Sequence, residues 1–320
     1  MILILSNKWD ITVDFVVGEL RKRRLSFLRV NTEDLVEDGV VLTMPRPSMR
    51  VGKLGANVEL FGSVSSIWNR RPGKPFDFVA QGQRPSMAVQ QFASDQWFAC
   101  LEAVELLPDA LWVNHPVANA RMESKVRQLH QAAEMGFSVP KTLITNRLED
   151  VRAFCAAEGG RLVAKALYSP LIEESNQDYF VFSNIVTASD LRDEAGIEIS
   201  PTIFQEVLAP KADYRVTVIG ENVFPVRITS DSPVQPLDWR TRGNDVNYAR
   251  CELPPDVAEL CRTFVKSSKL VFGAIDLVEH DGRFYFLEIN PNGEWGWLEK
   301  TVGVPIASAL CDLLQHGLEA

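Results

Sequence analysis

The apolar and polar positions divide the chain into an α/β opening of roughly 115 residues and a longer α+β body. Met1–Leu5 (MILIL) is an unbroken apolar run, as in a strand buried on both faces. Ile11–Leu25 spaces Val13, Val16, Val17 and Leu20 three or four residues apart, which predicts a helix. Its basic end, Arg21–Arg24, is a place where the helix dipole favours cations. Leu25–Val30, Ser65–Trp68 and Leu111–Asn114 read as further strands, and Gln90–Leu107 as an amphipathic helix. Val40–Leu60 gives only short strand-like pieces between Pro and Gly.

In the body, Asn119–Met135 predicts one helix with Val126, Leu129, Ala132 and Ala133 inward, stopped by Gly136. Lys141–Ile144 is a strand and Leu148–Glu158 a helix; Arg161–Leu167 and Asp178–Thr187 pair as a hairpin. Thr202–Leu208, Tyr214–Ile219 and Val223–Thr229 are strands, and Ser230–Arg250 is polar and loop-like. Pro254–Lys269 is a helix. Val271–Glu279 and Arg283–Ile289 form a hairpin around His280-Asp281-Gly282, and Pro305–Leu314 closes as a helix.

Composition narrows the function. The 320 residues, 46% hydrophobic, suffice for a large core in more than one lobe. A net charge of −9 excludes a protein that tracks nucleic-acid phosphates, yet leaves room for a nucleotide held by a few local cations. Cys100, Cys155, Cys251, Cys261 and Cys311 stand singly, with no CxxC pair, as in a reducing cytosol. No apolar run reaches membrane-spanning length, and the start turns polar after five residues, so a cytoplasmic protein without membrane contact is expected. His115, His130, His280 and His316 do not cluster and receive no role.

The chemistry concentrates in the last hairpin. Its second strand ends Leu287-Glu288-Ile289-Asn290-Pro291-Asn292-Gly293, and residues two apart share a strand face, so Glu288 and Asn290 point the same way. Asp276 lies on the partner strand. Two carboxylates and an amide suit Mg²⁺, which takes the rest of its shell from water and phosphates. The alternative, a solvated carboxylate face, fits poorly with neighbours such as Phe272, Phe284 and Phe286. Lys165, alone in the apolar run 162–167, needs either a phosphate or a buried Glu. Lys125 reads by itself as an ordinary helix lysine. The 204–208 strand edge can meet an adenine, with Glu206 as an acceptor. Arg215 either reaches a transferring phosphate or pairs internally with Asp213. Arg70-Arg71, after the strand at 65–68, serve carboxylates or form a surface ion pair.

In their order, Phe204-Gln205-Glu206, Asp213-Tyr214-Arg215, Gly273-Ala274-Ile275-Asp276 and Leu287-Glu288-Ile289-Asn290-Pro291-Asn292 resemble the ATP-grasp carboxylate–amine/thiol ligases. The resemblance covers roughly residues 115–320, and its closing motif resembles the glutamate-ligase branch. Trp68-Asn69-Arg70-Arg71-Pro72, Leu237-Asp238-Trp239-Arg240 and Gly293-Glu294-Trp295 are similar to the microviridin or graspetide peptide macrocyclases.

The resemblance implies an N-terminal α/β lobe (1–115), a central lobe (116–195) and a C-terminal lobe with the Mg²⁺ site (196–320). It implies ATP held by Lys125, Lys165, Glu206, Val207, Leu208 and Asp213, and Mg²⁺ held by Asp276, Glu288 and Asn290. Arg215 and Arg240, the latter oriented by Asp238, would stabilise the transferring phosphoryl group or acyl phosphate. Arg70 and Arg71 would steer an acidic precursor peptide, and residues 166–185 would help hold its leader. A homodimer is also implied. The 166–180 segment departs from many members in lacking a glycine-rich phosphate loop. The expected reaction joins Asp or Glu side chains of a ribosomal peptide to Ser/Thr hydroxyls or Lys amines. Addition of free amino acids to an acceptor, ATP binding without ligation, and a generic oligomeric binding module are the rival readings.

Overall fold

The computed structural model describes residues 1–52, 57–77, 79, 83–168, 171–173, 178–192, 194–230 and 246–317. The first lobe contains β1 (Ile2–Ser6), α1 (Ile11–Lys22), β2 (Phe27–Asn31), α2 (Leu35–Asp38), β3 (Val40–Thr43), β4 (Ser48–Val51), β5 (Val58–Glu59), β6 (Ser66–Asn69), α3 (Met87–Leu101) and β7 (Leu111–Val113). Its parallel sheet runs β2-β1-β6-β7, and every residue of β1 and β6 is buried, as the apolar run predicts for a central parallel strand. The ambiguous 40–60 stretch resolves into a small antiparallel sheet, β3-β4-β5.

Helix α1 starts at Asp10, whose side chain accepts from Thr12 N at 3.0 Å. It buries Val13, Val16, Val17 and Leu20, the face expected. Gln90–Leu107 departs from expectation. It is α3 followed by a short 3₁₀ segment, and no residue of α3 is buried: Met87 is 86% exposed and Phe92 66%. Trp97 and Leu101 pack against the core around Leu3, Leu5 and Val104, while Met87, Val89, Phe92 and Phe98 stay exposed.

The next stretch holds α4 (Pro116–Arg121), α5 (Lys125–Glu134), β8 (Thr142–Thr145), α6 (Leu148–Ala157), β9 (Arg161–Lys165), β10 (Leu171–Glu173), β11 (Asp178–Phe180), β12 (Asn184–Thr187), α7 (Glu194–Glu198) and β13 (Thr202–Glu206). The single helix expected over 119–135 is two helices. Ser124 caps the second, its hydroxyl accepting from Arg127 N at 3.4 Å, so Lys125 opens a helix rather than sitting mid-helix. The inward face also differs, because Gln128 and Ala132 are buried while Val126 is 50% exposed. The strand expected over 178–187 is split between β11, paired with β10, and β12, paired with β9. The antiparallel sheet here runs β12-β9-β13-β8.

The last stretch holds β14 (Ala212–Ile219), β15 (Asn222–Ser230), β16 (Val246–Arg250), α8 (Pro255–Ser267), β17 (Phe272–His280), β18 (Arg283–Asn290), α9 (Gly296–Val302) and α10 (Ile306–His316). Its antiparallel sheet runs β16-β15-β14-β17-β18. One of its ends was read as loop; Val246–Arg250 in fact pairs with β15.

The chain's end packs on its beginning. Ile306, Leu310 and Leu314 of α10 share a core with Ile4, Val16, Leu20 and Trp68. Arg23, at the end of α1, reinforces this by bonding Asp312 at 2.5 Å and the Ser308 hydroxyl at 2.7 Å. The loop after β18 is therefore held between the two outer sheets. Cys155, Cys261 and Cys311 are buried, Cys100 and Cys251 partly so, and all five are unbridged. Among the described residues, no helix is long and apolar enough to cross a membrane.

Candidate active site

A cavity of about 420 Å³ lies where the central sheet faces the β14–β18 sheet, a volume in the range of small-molecule sites. Its floor is the β17–β18 hairpin. Cross-strand register places Arg215 of β14 opposite Asp276 of β17, and Asp276 opposite Glu288 of β18. Directly opposite residues share a sheet face, so these three form one row across three strands. A bulge between Asp276 and Leu277 interrupts the pairing beside this row, a common re-aiming of side chains next to active sites. Asn290, two residues beyond Glu288, lines the cavity with Asp276 and Glu288, and Arg215 stands behind Asp276.

Arg215 Nη1 donates to both Asp276 oxygens, at 2.8 and 2.9 Å. The internal pairing weighed for Arg215 exists, but its partner is Asp276 and not Asp213, which instead takes Lys211 Nζ at 2.5 and 2.7 Å. Lys125 Nζ lies 3.6 Å from Glu288 Oε2 and donates to Ala166 O at 2.9 Å. Lys125, Lys165 and Lys211 all line the cavity with the two carboxylates. Lysines from a helix (Lys125), the facing sheet (Lys165) and the residue before β14 (Lys211), set against these carboxylates, suit a ligand carrying both phosphates and a divalent cation.

The donor set fits Mg²⁺. Asp276, Glu288 and Asn290 offer only oxygen ligands from one sheet face. Among the described residues no cluster of three His, Cys, Asp or Glu side chains can hold an ion by itself. An ion here depends on nucleotide phosphates and water to complete its shell, as Mg²⁺ does.

Glu206 and Leu208 line the cavity at the end of β13, with Val207 between them. Glu206 Oε1 accepts from Lys141 N at 2.8 Å, which fixes the β13 edge. Tyr214 also lines the cavity and donates to Glu279 at 2.6 Å. Burial and that bond push its phenol well above the ordinary range, so it stays neutral at working pH. Asp238 and Arg240 lie outside the described residues.

The Arg70–Arg71 pair divides. Arg71 is exposed and pairs with Glu294. Arg70 is 1% exposed and points inward, where a peptide in solvent cannot reach it. It bonds the carbonyls of Asn292 and Gly293.

Sequence reasoning missed Gln128 and Asn114. Gln128 clamps Ile289 by both backbone groups, Oε1 accepting from Ile289 N at 2.9 Å and Nε2 donating to Ile289 O at 3.0 Å. Asn114 donates to Pro291 O at 3.0 Å and to Phe272 O at 2.9 Å, and accepts from the amides of Val271 and Phe272. A polar residue at an otherwise inward position, Gln128 on α5, was the available signal. Gly293 is required by space: a Cβ there would lie 2.4 Å from Ala274 Cβ.

No protein-family model matches the sequence, and no curated protein does. Solved structures do match, over nearly all of the chain. A RiPP-associated ATP-grasp ligase from Chryseobacterium gregarium, in complex with ADP and a leader and core peptide, superposes with a TM-score of 0.86. It is 26% identical, covering 98% of this chain and 96% of that one. The macrocyclase MdnC from Microcystis aeruginosa MRC, bound with precursor peptide MdnA, gives a TM-score of 0.85 at 23% identity, covering 98% of each chain. The D-alanine–D-alanine ligase of Bacillus anthracis, complexed with ATP, gives 0.56 at 13% identity, covering 99% of this chain and 93% of that one. The chain has the ATP-grasp fold.

Proposed function

We infer that this ATP-grasp chain is an ADP-forming ligase that acts on a ribosomal precursor peptide. It activates an Asp or Glu side-chain carboxylate as an acyl phosphate and joins it to a Ser or Thr hydroxyl or a Lys amine of the same peptide. The observation that carries this reading is the full-length likeness to the ligase holding ADP, leader and core peptide. The likeness to the amino-acid ligase is far looser.

The cavity suits the chemistry. The peptide carboxylate oxygen attacks the γ-phosphorus of ATP, and ADP leaves. The hydroxyl or amine then attacks the acyl carbon, loses its proton, and phosphate departs. Asp276, Glu288 and Asn290 would hold Mg²⁺, whose share is charge neutralisation at the β- and γ-phosphates. Lys125 and Lys165 would neutralise phosphate oxygens. Glu206, Val207 and Leu208 would meet the adenine, with Asp213 nearby on the nucleotide side. Arg215, hydrogen-bonded to Asp276, would lend its charge to the transferring phosphoryl group, and Arg240, oriented by Asp238, to the acyl phosphate. None of these groups forms a bond to substrate; positioning and electrostatics supply the rate.

The peptide would enter past Tyr168, Phe180, Val181 and Phe182, which line the cavity and are exposed. Phe180 and Phe182 lie with ring centroids 4.6 Å apart, a ready surface for an apolar leader segment. Arg71, exposed beside Glu294, would meet acidic peptide residues by exchanging that partner. Use of ATP and of a ribosomal peptide would suit the cytoplasm.

The test is ADP release. It is expected only when ATP, Mg²⁺ and an acidic, Ser/Thr/Lys-containing peptide encoded beside the gene are all present. ADP release that is indifferent to every such peptide and responds to free amino acids would move the activity to the amino-acid ligases.

The same reading includes a homodimer through α3. That helix exposes Met87, Val89, Phe92 and Phe98, and Asp95 is its only charged residue. So apolar and uncharged a face suits a second copy of itself better than a charged partner. Sedimentation velocity is expected to show a dimer for the parent and a monomer for Phe92→Glu. A monomeric parent would refute the interface.

A further inference from the structure

The turn that follows the metal strand has a donor on every carbonyl. Ile289 O takes Gln128, Asn290 O takes Gly293 N at 3.1 Å, and Pro291 O takes Asn114. Asn292 O and Gly293 O both take Arg70 Nη1, the latter at 3.1 Å, and Glu294 O takes Arg215 Nη2 at 3.4 Å. The four side chains come from separate parts of the fold, and each is less than a tenth exposed. A turn needs no such set to exist, since exposed turns satisfy their carbonyls with water. Held this way it has little freedom, and Asn290 and the Glu294–Arg215 contact are fixed with it.

The set holds two cations, Arg215, paired with Asp276, and Arg70, which at 1% exposure is the more deeply buried and comes from the N-terminal lobe. Burial brings its guanidinium down to about 10, with Arg71 adding to the fall and Asp10 opposing it. Asp10 Oδ2 lies 2.8 Å from Arg70 Nε, while Asp10 Oδ1 caps α1. Burying such a pair costs several kcal/mol per ion unless its geometry is exact, so it is weak evidence for stability alone. The bonds of Arg70 run to the backbone beside Asn290 and Glu294, not to the core.

We propose that Arg70, aimed by Asp10, is a positioning residue that sets the metal-binding turn from the N-terminal lobe. It acts through the carbonyls of Asn292 and Gly293, without touching substrate. The proposal rests on assigning Glu288 and Asn290 to the metal.

The test is the binding of Mn²⁺ in the presence of ADP, followed by electron paramagnetic resonance, with ligand-free melting measured in parallel. The parent is expected to bind Mn²⁺ and to give an ordered signal. Arg70→Lys keeps the positive charge, but its single nitrogen cannot stand beside Asp10 as Nε does and reach the two carbonyls as Nη1 does at once. It is expected to weaken Mn²⁺ binding about 10- to 100-fold, the range typical when a support of a metal ligand is lost. Asp10→Asn retains a good helix cap and removes only the aiming charge. It stays folded and shifts Mn²⁺ affinity in the same direction, which keeps the test sound if Arg70→Lys fails to fold. Leu60→Ala, in the separate core under β3–β5, lowers the melting temperature and leaves Mn²⁺ affinity unchanged. If the parent binds Mn²⁺ and both Arg70→Lys and Asp10→Asn bind it equally well, the positioning role is wrong and the metal assignment stands. If the parent binds none, the metal assignment fails and the proposal with it.

Discussion

Glu288→Gln abolishes peptide-dependent ADP formation, with a loss of at least about 100-fold expected for a metal ligand that bears the charge. Glutamine keeps the length and one oxygen, but Mg²⁺ favours charged oxygen donors and binds few protein groups, so losing one is felt in full. The fold should survive. The Glu288 side chain is about one-fifth exposed, and its 3.6 Å contact with Lys125 is too long to be a strong ion pair. Removing its charge also relieves repulsion with Asp276, directly opposite on β17. Melting within a few degrees of the parent and loss of Mg²⁺-dependent ADP binding by calorimetry are the expected pair of results. A fully active Glu288→Gln protein would remove Glu288 from the metal site.

Arg215→Met destabilises strongly as well as inactivating. Arg215 and Asp276 have side chains 8% and 14% exposed, joined by two bonds near 2.8 Å. Removing the guanidinium takes both of these bonds from a carboxylate largely shielded from water, and breaking such a pair costs about 3–5 kcal/mol. For a chain of this size that corresponds to a fall in melting temperature of roughly 5–15 °C. Adding Asp276→Asn removes the negative charge that Arg215 had balanced. The double variant should regain much of the stability and none of the activity, because both the phosphate-facing cation and a metal ligand are gone. Denaturant titrations of the four proteins give the coupling energy. Additive effects, within about half a kcal/mol, would mean that the pair contributes nothing as a pair.

The parts of this site that sequence made legible are those with local periodicity. Asp276, Glu288 and Asn290 sit on two strands of one hairpin, and the two-residue period of a strand alone places the last two together. The buried run of β1 and the apolar face of α1 were legible for the same reason. What stayed hidden depends on contacts far apart in sequence. Gln128 meets Ile289 across 161 positions, Asn114 meets Pro291 across 177, and Arg70 meets Asn292 across 222. No local pattern distinguishes an Arg that turns inward from one that turns outward, so the paired Arg70-Arg71 read alike. The break at 122–124 was misread because Met-Glu-Ser is compatible with helix. Ser124 as a cap was the sign, and no Glu or Gln three residues later strengthened it. An amphipathic pattern over 90–107 does not say how much of the apolar side is covered: Trp97 and Leu101 of α3 pack on the N-terminal core, while Phe92 and Phe98 stay exposed.

Whether this protein closes bonds within one peptide is decided by the intact mass of that peptide after reaction. The protein would be incubated with ATP, Mg²⁺ and the acidic peptide encoded beside its gene. The account predicts a peptide lighter by one water for each link formed, and no change when ATP is withheld. A peptide that gains the mass of an added amino acid, or is unchanged while ADP accumulates with every such peptide, would contradict it.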